Sequence, residues 1–337
     1  MSELIDIFLT IIIVVTIYFN GIFLKYSIFK IKHYSLSITL GLGSIPISFF
    51  ITLLLFTQQL TFFNIVFMLI ILQFPLVKSL FTVRFNQQSI YCSYRDSNLS
   101  YAVLALFFMV ILVTCTEYLT PGDKYRWVAI KQFIQNSGFT DVSYDFRNMS
   151  PFNSETFLLL GMILQGESLA LKINLLFSFF LAISVFEFLN FIKKIPSRLS
   201  LFFAFIFILN ACFLIDGPRG YISNTVGFFV WMTYISLYMW SINNKKRYFY
   251  ISILFAGFAA GTKIHALFCI LFFSIFVMCL TQNGKNQIDF FKRALKNACI
   301  FILGALSISS PWYLRNLFLK GDPFFPYLSK TFYSSLE

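Results

Sequence analysis

Apolar residues run in long blocks along almost the whole chain, separated by short polar connectors. About 20 apolar residues in a helix cross a hydrocarbon layer of about 30 Å. On that measure the pattern predicts spans at 4–24, 37–56, 60–80, 100–118, 170–192, 200–215, 222–242, 248–261, 264–281 and 294–310. Residues 248–281 also suit a single broken hairpin. Backbone groups in lipid must be satisfied within their own segment, so these spans are expected to be helices. The expected fold is all-α, a polytopic membrane protein of about ten transmembrane helices. The only long polar stretch outside a short connector is 119–156. The N-terminus, MSELIDIFLT, has no basic leader and no cleavage signal, so 4–24 is expected to be a retained span.

Composition narrows the class further. Of 337 residues, 58% are hydrophobic and 12% charged, and 47 are Phe. A soluble domain carries roughly a quarter charged residues, so most of this surface must face lipid. The net charge of +12 invites a nucleic-acid partner. The basic residues instead sit in short clusters between apolar runs, as in membrane loops, and no nucleic acid is expected. Cys92, Cys115, Cys212, Cys269, Cys279 and Cys299 show no metal-ligand spacing. With only His33 and His265 beside them, no zinc site is expected.

Basic residues also set the orientation. Alternating the spans places Lys25, Lys30, Lys32, Lys78, Arg84, Arg95, Lys193, Lys194, Arg198, Lys245, Lys246, Arg247, Lys285, Lys292, Arg293 and Lys296 on one side, which the positive-inside rule makes cytoplasmic. The outer side is nearly neutral but holds charges of both signs, in 117–172, 216–219, 262–263 and 315–330. Charge near the bilayer centre costs about 2.5–3.5 kcal/mol per residue. Charges kept beside apolar runs therefore point to a polar pocket on the outer face.

Four outer segments carry candidate chemistry. Thr120-Pro121-Gly122-Asp123 leads into 124–138, where Trp127, Ile130, Phe133 and Ile134 share one face and Lys124, Lys131 and Gln135 another. This predicts a short interfacial amphipathic helix ending at Gly138. Asp123 suits two roles, helix N-cap and proton acceptor. Next come Asp145, Arg147, Pro151 and Glu155, which also fit a solvated loop with local ion pairs. Gly261-Thr262-Lys263 interrupts a long apolar stretch. It reads either as a hairpin whose Lys snorkels or as a cation aimed at an anion. Last, Pro311-Trp312-Tyr313-Leu314-Arg315-Asn316 precedes Gly321-Asp322-Pro323. Pro311 is expected to end one helix or begin the next.

Taken in order, these segments resemble bacterial GT-C membrane glycosyltransferases of the dolichyl-phosphate-mannose-protein mannosyltransferase-like group. The resemblance covers about 116–327. It rests most on Pro311, Trp312, Arg315, Asn316, Gly321, Pro323 and Pro326, with Asp123, Tyr125, Lys131, Pro151, Glu155, Gly261, Thr262 and Lys263 adding to it. It departs from the family in placing the Asp loop after the fourth span rather than the first. It divides the chain into N-terminal helices at 1–99 without clear counterpart and a GT-C-like core at 100–337. That core includes the catalytic loop 119–156 and an outer segment 311–337.

The resemblance implies a hexosyl- or pentosyltransferase in the bacterial inner membrane with its active face extracytoplasmic. It would move sugar, with inversion, from a polyprenyl-phosphate donor to a cell-envelope glycan, lipid or protein. Asp123 becomes the expected base, and Lys131, Glu155, Lys263, Arg315 and Asn316 the expected substrate-binding residues. Cations at the leaving phosphate make a metal unnecessary, although Asp145 or Glu155 could help hold one. The other classes open to such a chain are a transporter or flippase of lipid-linked saccharides, a saccharide polymerase, and a non-catalytic assembly subunit. Charges gathered at one face, with no internal repeat, favour the enzyme over a transporter.

Overall fold

The computed structural model describes residues 2–31, 35–75, 95–114, 124–140, 149–209, 221–281 and 287–325. Among them the chain is helical without strands. In order the helices are α1 (Ser2–Phe23), α2 (Leu36–Phe56), α3 (Phe62–Leu72), α4 (Arg95–Thr114), α5 (Lys124–Gln135) and α6 (Glu155–Leu164). They continue with α7 (Glu167–Glu187), α8 (Ser197–Leu209), α9 (Ser223–Asn243), α10 (Lys246–Ala260), α11 (Ala266–Leu280) and α12 (Gln287–Lys320). Among the described residues, five helical stretches are long and apolar enough to cross a membrane: Glu3–Ile28, Leu36–Phe56, Glu167–Ile192, Ser223–Asn243 and Gln287–Lys320. The chain therefore has the character of a membrane protein.

The chain forms two compact units, Met1–Asp123 with Thr156–Asn224, and Lys124–Glu155 with Thr225–Glu337. In the first, α1 and α2 pack antiparallel at close range. A Cβ on Gly21 would collide with the Thr39 carbonyl, and one on Gly43 with the Ile17 carbonyl. Small residues at such a crossing let two backbones approach where lipid offers no hydrophobic drive between helices.

Buried charges brace this unit at two levels. Near the start of α1, Asp6 pairs with Lys172 of α7 at 2.9 Å, and Ser168 donates to the same carboxylate oxygen. Near the far end of α7, Glu187 accepts from the backbone N–H groups of Leu36 and Ser37 and from the hydroxyls of Ser35, Ser37 and Tyr101. A carboxylate there meets the partial positive charge and open donors of the α2 N-terminus. Lys25, buried at the end of α1, reaches the Ser35 carbonyl and the Thr39 hydroxyl. Lys172 and Glu187 are fifteen residues apart, about 22 Å along a helix, so the ionised groups sit towards the ends of the apolar span.

In the second unit α10 and α12 run parallel. Phe249 meets Phe301, Ile253 lies over Gly304, and Tyr313 donates to the Ala260 carbonyl. Thr281, just after α11, accepts from Asn297 of α12. Phe229 of α9 packs on Phe258 of α10 with ring centres 4.2 Å apart.

Several sequence expectations change. The span expected at 60–80 is helical from Phe62 to Leu72, and 76–94 lie outside the described residues. Residues 155–164, given no span, form α6, whose ten residues are too few for one crossing. Pro311 neither ends nor starts a helix, because α12 runs through it. Proline cannot donate to the carbonyl four residues back. Here the Ser310 hydroxyl donates to that Ser307 carbonyl instead, at 2.8 Å. The amphipathic helix also stops differently. Ser137, not Gly138, takes the left-handed conformation (φ 55°), and Gly138 N–H returns to the Phe133 carbonyl. This is a Schellman closure with glycine one position past the strained residue.

Candidate functional site

Most of the candidate residues fall in the second unit: Lys131, Glu155, Lys263, Arg315 and Asn316. Asp123, Asp145 and Pro326 lie outside the described residues.

The site is built around the C-terminal end of α10, whose last carbonyls have no helical partner. Asn153 meets two of them, since its side-chain amide donates to the Phe258 carbonyl and its backbone N–H to that of Gly261. Thr262 also donates to Phe258 O, and Tyr313 closes the Ala260 carbonyl. The Asn153 side-chain oxygen is occupied in turn by the Trp312 indole N–H, at 2.6 Å. Glycine at 261 is required by this packing, because a Cβ there would run into the Asn153 amide. Asn153 was not among the sequence candidates. Its only sequence signal is its place as a short polar residue just ahead of an apolar helix.

One helical turn further along α12, Arg315 is 5% exposed. Its Nη2 donates to the carbonyls of Met149 and Ser150 and, with Nε, to the side-chain oxygen of Asn316. Asn316 donates in turn to the Met149, Pro323 and Phe325 carbonyls. The guanidinium lies 5.3 Å from the Phe139 ring centre and 5.4 Å from that of Trp312. Cations over aromatic faces gain from the ring quadrupole most when desolvated. Buried Glu155 acts on Arg315 electrostatically. Arg315 and Asn316 thus fasten the 149–150 segment and the chain past α12, and on Arg315 only Nη1 carries no hydrogen bond among the described residues.

Helix α5 joins the same node through aromatic contacts. Phe133 packs edge-on against Phe139 and Phe152, and both of these meet Trp312. Trp127, Ile130 and Phe133 are buried while Lys131 and Gln135 are exposed, the two faces the spacing predicted. Lys263 stands in the turn after α10 and is half-buried. No group of three metal-binding side chains occurs among the described residues.

Comparison with protein-family models, with curated proteins and with solved structures gives no match. The functional reading therefore rests on the residues themselves.

The arrangement offers a buried, aromatic-walled guanidinium on which a buried carboxylate acts, with two lysines more open to their surroundings. The Asp6–Lys172 pair and the Glu187 cap had no sequence signal beyond charge inside an apolar run. Asp6 meets Lys172 near the start of α1, and Glu187 acts electrostatically on Lys25 near its end.

Proposed function

We propose that this chain is a membrane glycosyltransferase of GT-C type, with about ten spans. In this reading it moves a sugar from a polyprenyl-phosphate donor to an extracytoplasmic acceptor. The observation that carries the reading is convergence. Three sequence-distant segments that bear the resemblance, 149–155, 260–263 and 311–316, bond to one another at one node, and α5 packs on it. A solvated loop, a hairpin and an aromatic belt taken separately do not require that meeting.

In the reaction the acceptor O–H or N–H attacks the anomeric carbon. A new bond forms there as the bond to the carrier phosphate oxygen breaks, inverting the centre. The departing phosphate takes the electron pair, and the acceptor proton passes to Asp123. A positioned base of this kind contributes about 10²–10⁴-fold. The negative charge growing on the phosphate calls for cations already in place. Lys263 and Lys131 are assigned to it. Arg315 serves through Nη1 while its other nitrogens hold the 149–150 segment. Glu155 sets the position of the Arg315 guanidinium. No metal is needed at the phosphate on this scheme.

The test is turnover by purified protein given radiolabelled polyprenyl-phosphate sugars. Transfer to an acceptor, or slow release of sugar to water, supports the reading. Movement of intact carrier between leaflets without bond cleavage supports a flippase instead.

A further inference from the structure

We infer that the first three turns of α12, with the start of α10, form a binding site for the headgroup of an anionic phospholipid. Helix α12 has 34 residues, about 51 Å, against a hydrocarbon layer of about 30 Å. Part of it must therefore lie in the headgroup region or beyond.

The residues at its N-terminal end sort into three stripes. Ala294, Ala298 and Phe301 are buried against the protein. Ile288, Phe291 and Leu295 are exposed, at the i, i+3, i+7 spacing of one helix face. Lys292, Arg293 and Lys296 are exposed on the next face round. Further along the helix Leu306 is exposed on the same stripe, and Ile300 and Leu303 are exposed on the line of the basic residues. The basic stripe therefore gives way along α12 to a surface that suits lipid tails, with the apolar stripe beside it. Asp289 is the one acidic residue of the opening turn.

A second basic group comes to the same level. Because α10 runs parallel to α12 with Phe249 against Phe301, the exposed Lys245 and Lys246 stand near the height of Lys296. Three cations beside an exposed apolar stripe, with two more at the same height on α10, match a phosphate headgroup whose tails lie along that stripe. A soluble anion would use the charges and leave Ile288, Phe291 and Leu295 in water. The inference depends on membrane location alone and is independent of the proposed transfer chemistry.

The experiment is native mass spectrometry of the full chain in detergent, titrated with phosphatidylglycerol or phosphatidylcholine. The parent is expected to retain phosphatidylglycerol selectively at low salt and to lose that preference in high salt. The exposed-site variant Lys292→Gln/Arg293→Gln/Lys296→Gln should lose at least about tenfold of the preference, while keeping the parent melting temperature in phosphatidylcholine. Single Lys292→Gln should show a partial loss, and Lys320→Gln at the opposite end no more than about twofold. Equal retention of the two lipids by the parent would overturn the inference. So would an unchanged preference in the basic-stripe variants, or displacement by glycerol phosphate as effective as by whole lipid.

Discussion

The indole N–H of Trp312 donates to the side-chain oxygen of Asn153 at 2.6 Å, joining residues 159 positions apart. The bond makes α12 depend on the loop before α6, and Asn153 passes the dependence on to the end of α10. Trp312→Phe keeps most of the ring and deletes the donor. A buried acceptor left without its partner costs about 1–3 kcal/mol, so chemical-denaturant unfolding should shift by that amount. Gly261→Ala should be worse than an ordinary Gly→Ala change, since the new Cβ and the Asn153 amide claim the same space.

Arg315 and Glu155 should behave as a coupled pair. Arg315→Met removes a buried cation acting on a buried carboxylate and strips donors from the Met149 and Ser150 carbonyls. Breaking such a pair from one side costs about 3–5 kcal/mol. The double variant Arg315→Met/Glu155→Gln should recover part of the loss, because no buried charge is then left alone. A double-mutant cycle on unfolding midpoints measures the recovery.

The Asp6–Lys172 pair makes the same prediction within the first unit. Both side chains are buried at 2.9 Å, so Lys172→Met alone should destabilise by about 3–5 kcal/mol. Lys172→Met with Asp6→Asn should be milder. Additive losses in the two single variants would mean that the groups do not act on each other.

Much of the fold was legible because lipid imposes a length. The blocks that became α1, α2, α7 and α9 match their expected spans within a few residues, and buried charges close both ends of α1 and α7. What escaped has local causes. The α6 helix is a ten-residue apolar segment, shorter than any crossing. The passage of α12 through Pro311 depends on the Ser310 hydroxyl, a substitution that no periodicity shows. The sequence pointed to Arg315 and Asn316 as polar residues without a belt or turn explanation. It did not show that most of their hydrogen bonds go to backbone carbonyls, because those partners are fixed by tertiary meeting. Asn153 was invisible for the same reason.

Lys263 separates binding from folding more cleanly than Arg315. It is half-buried in the turn after α10, and no ion pair or side-chain hydrogen bond engages it among the described residues. Lys263→Gln should leave the unfolding midpoint within about 0.5 kcal/mol while weakening retention of a polyprenyl-phosphate sugar roughly tenfold. A titration of fluorescent carrier lipid into both proteins reads the difference. Equal affinity would remove Lys263 from the phosphate site.

The central claim is chemical, and one comparison addresses it. Parent protein and Asp123→Asn are purified side by side and given the same radiolabelled polyprenyl-phosphate sugar with envelope acceptors. Asparagine keeps the size and the capping oxygen of aspartate but cannot take the proton. The account predicts transfer by the parent and a fall of about 10²–10⁴-fold in the variant at unchanged carrier binding. Equal rates in the two proteins, or a parent that binds the carrier and never breaks its sugar–phosphate bond, would contradict it.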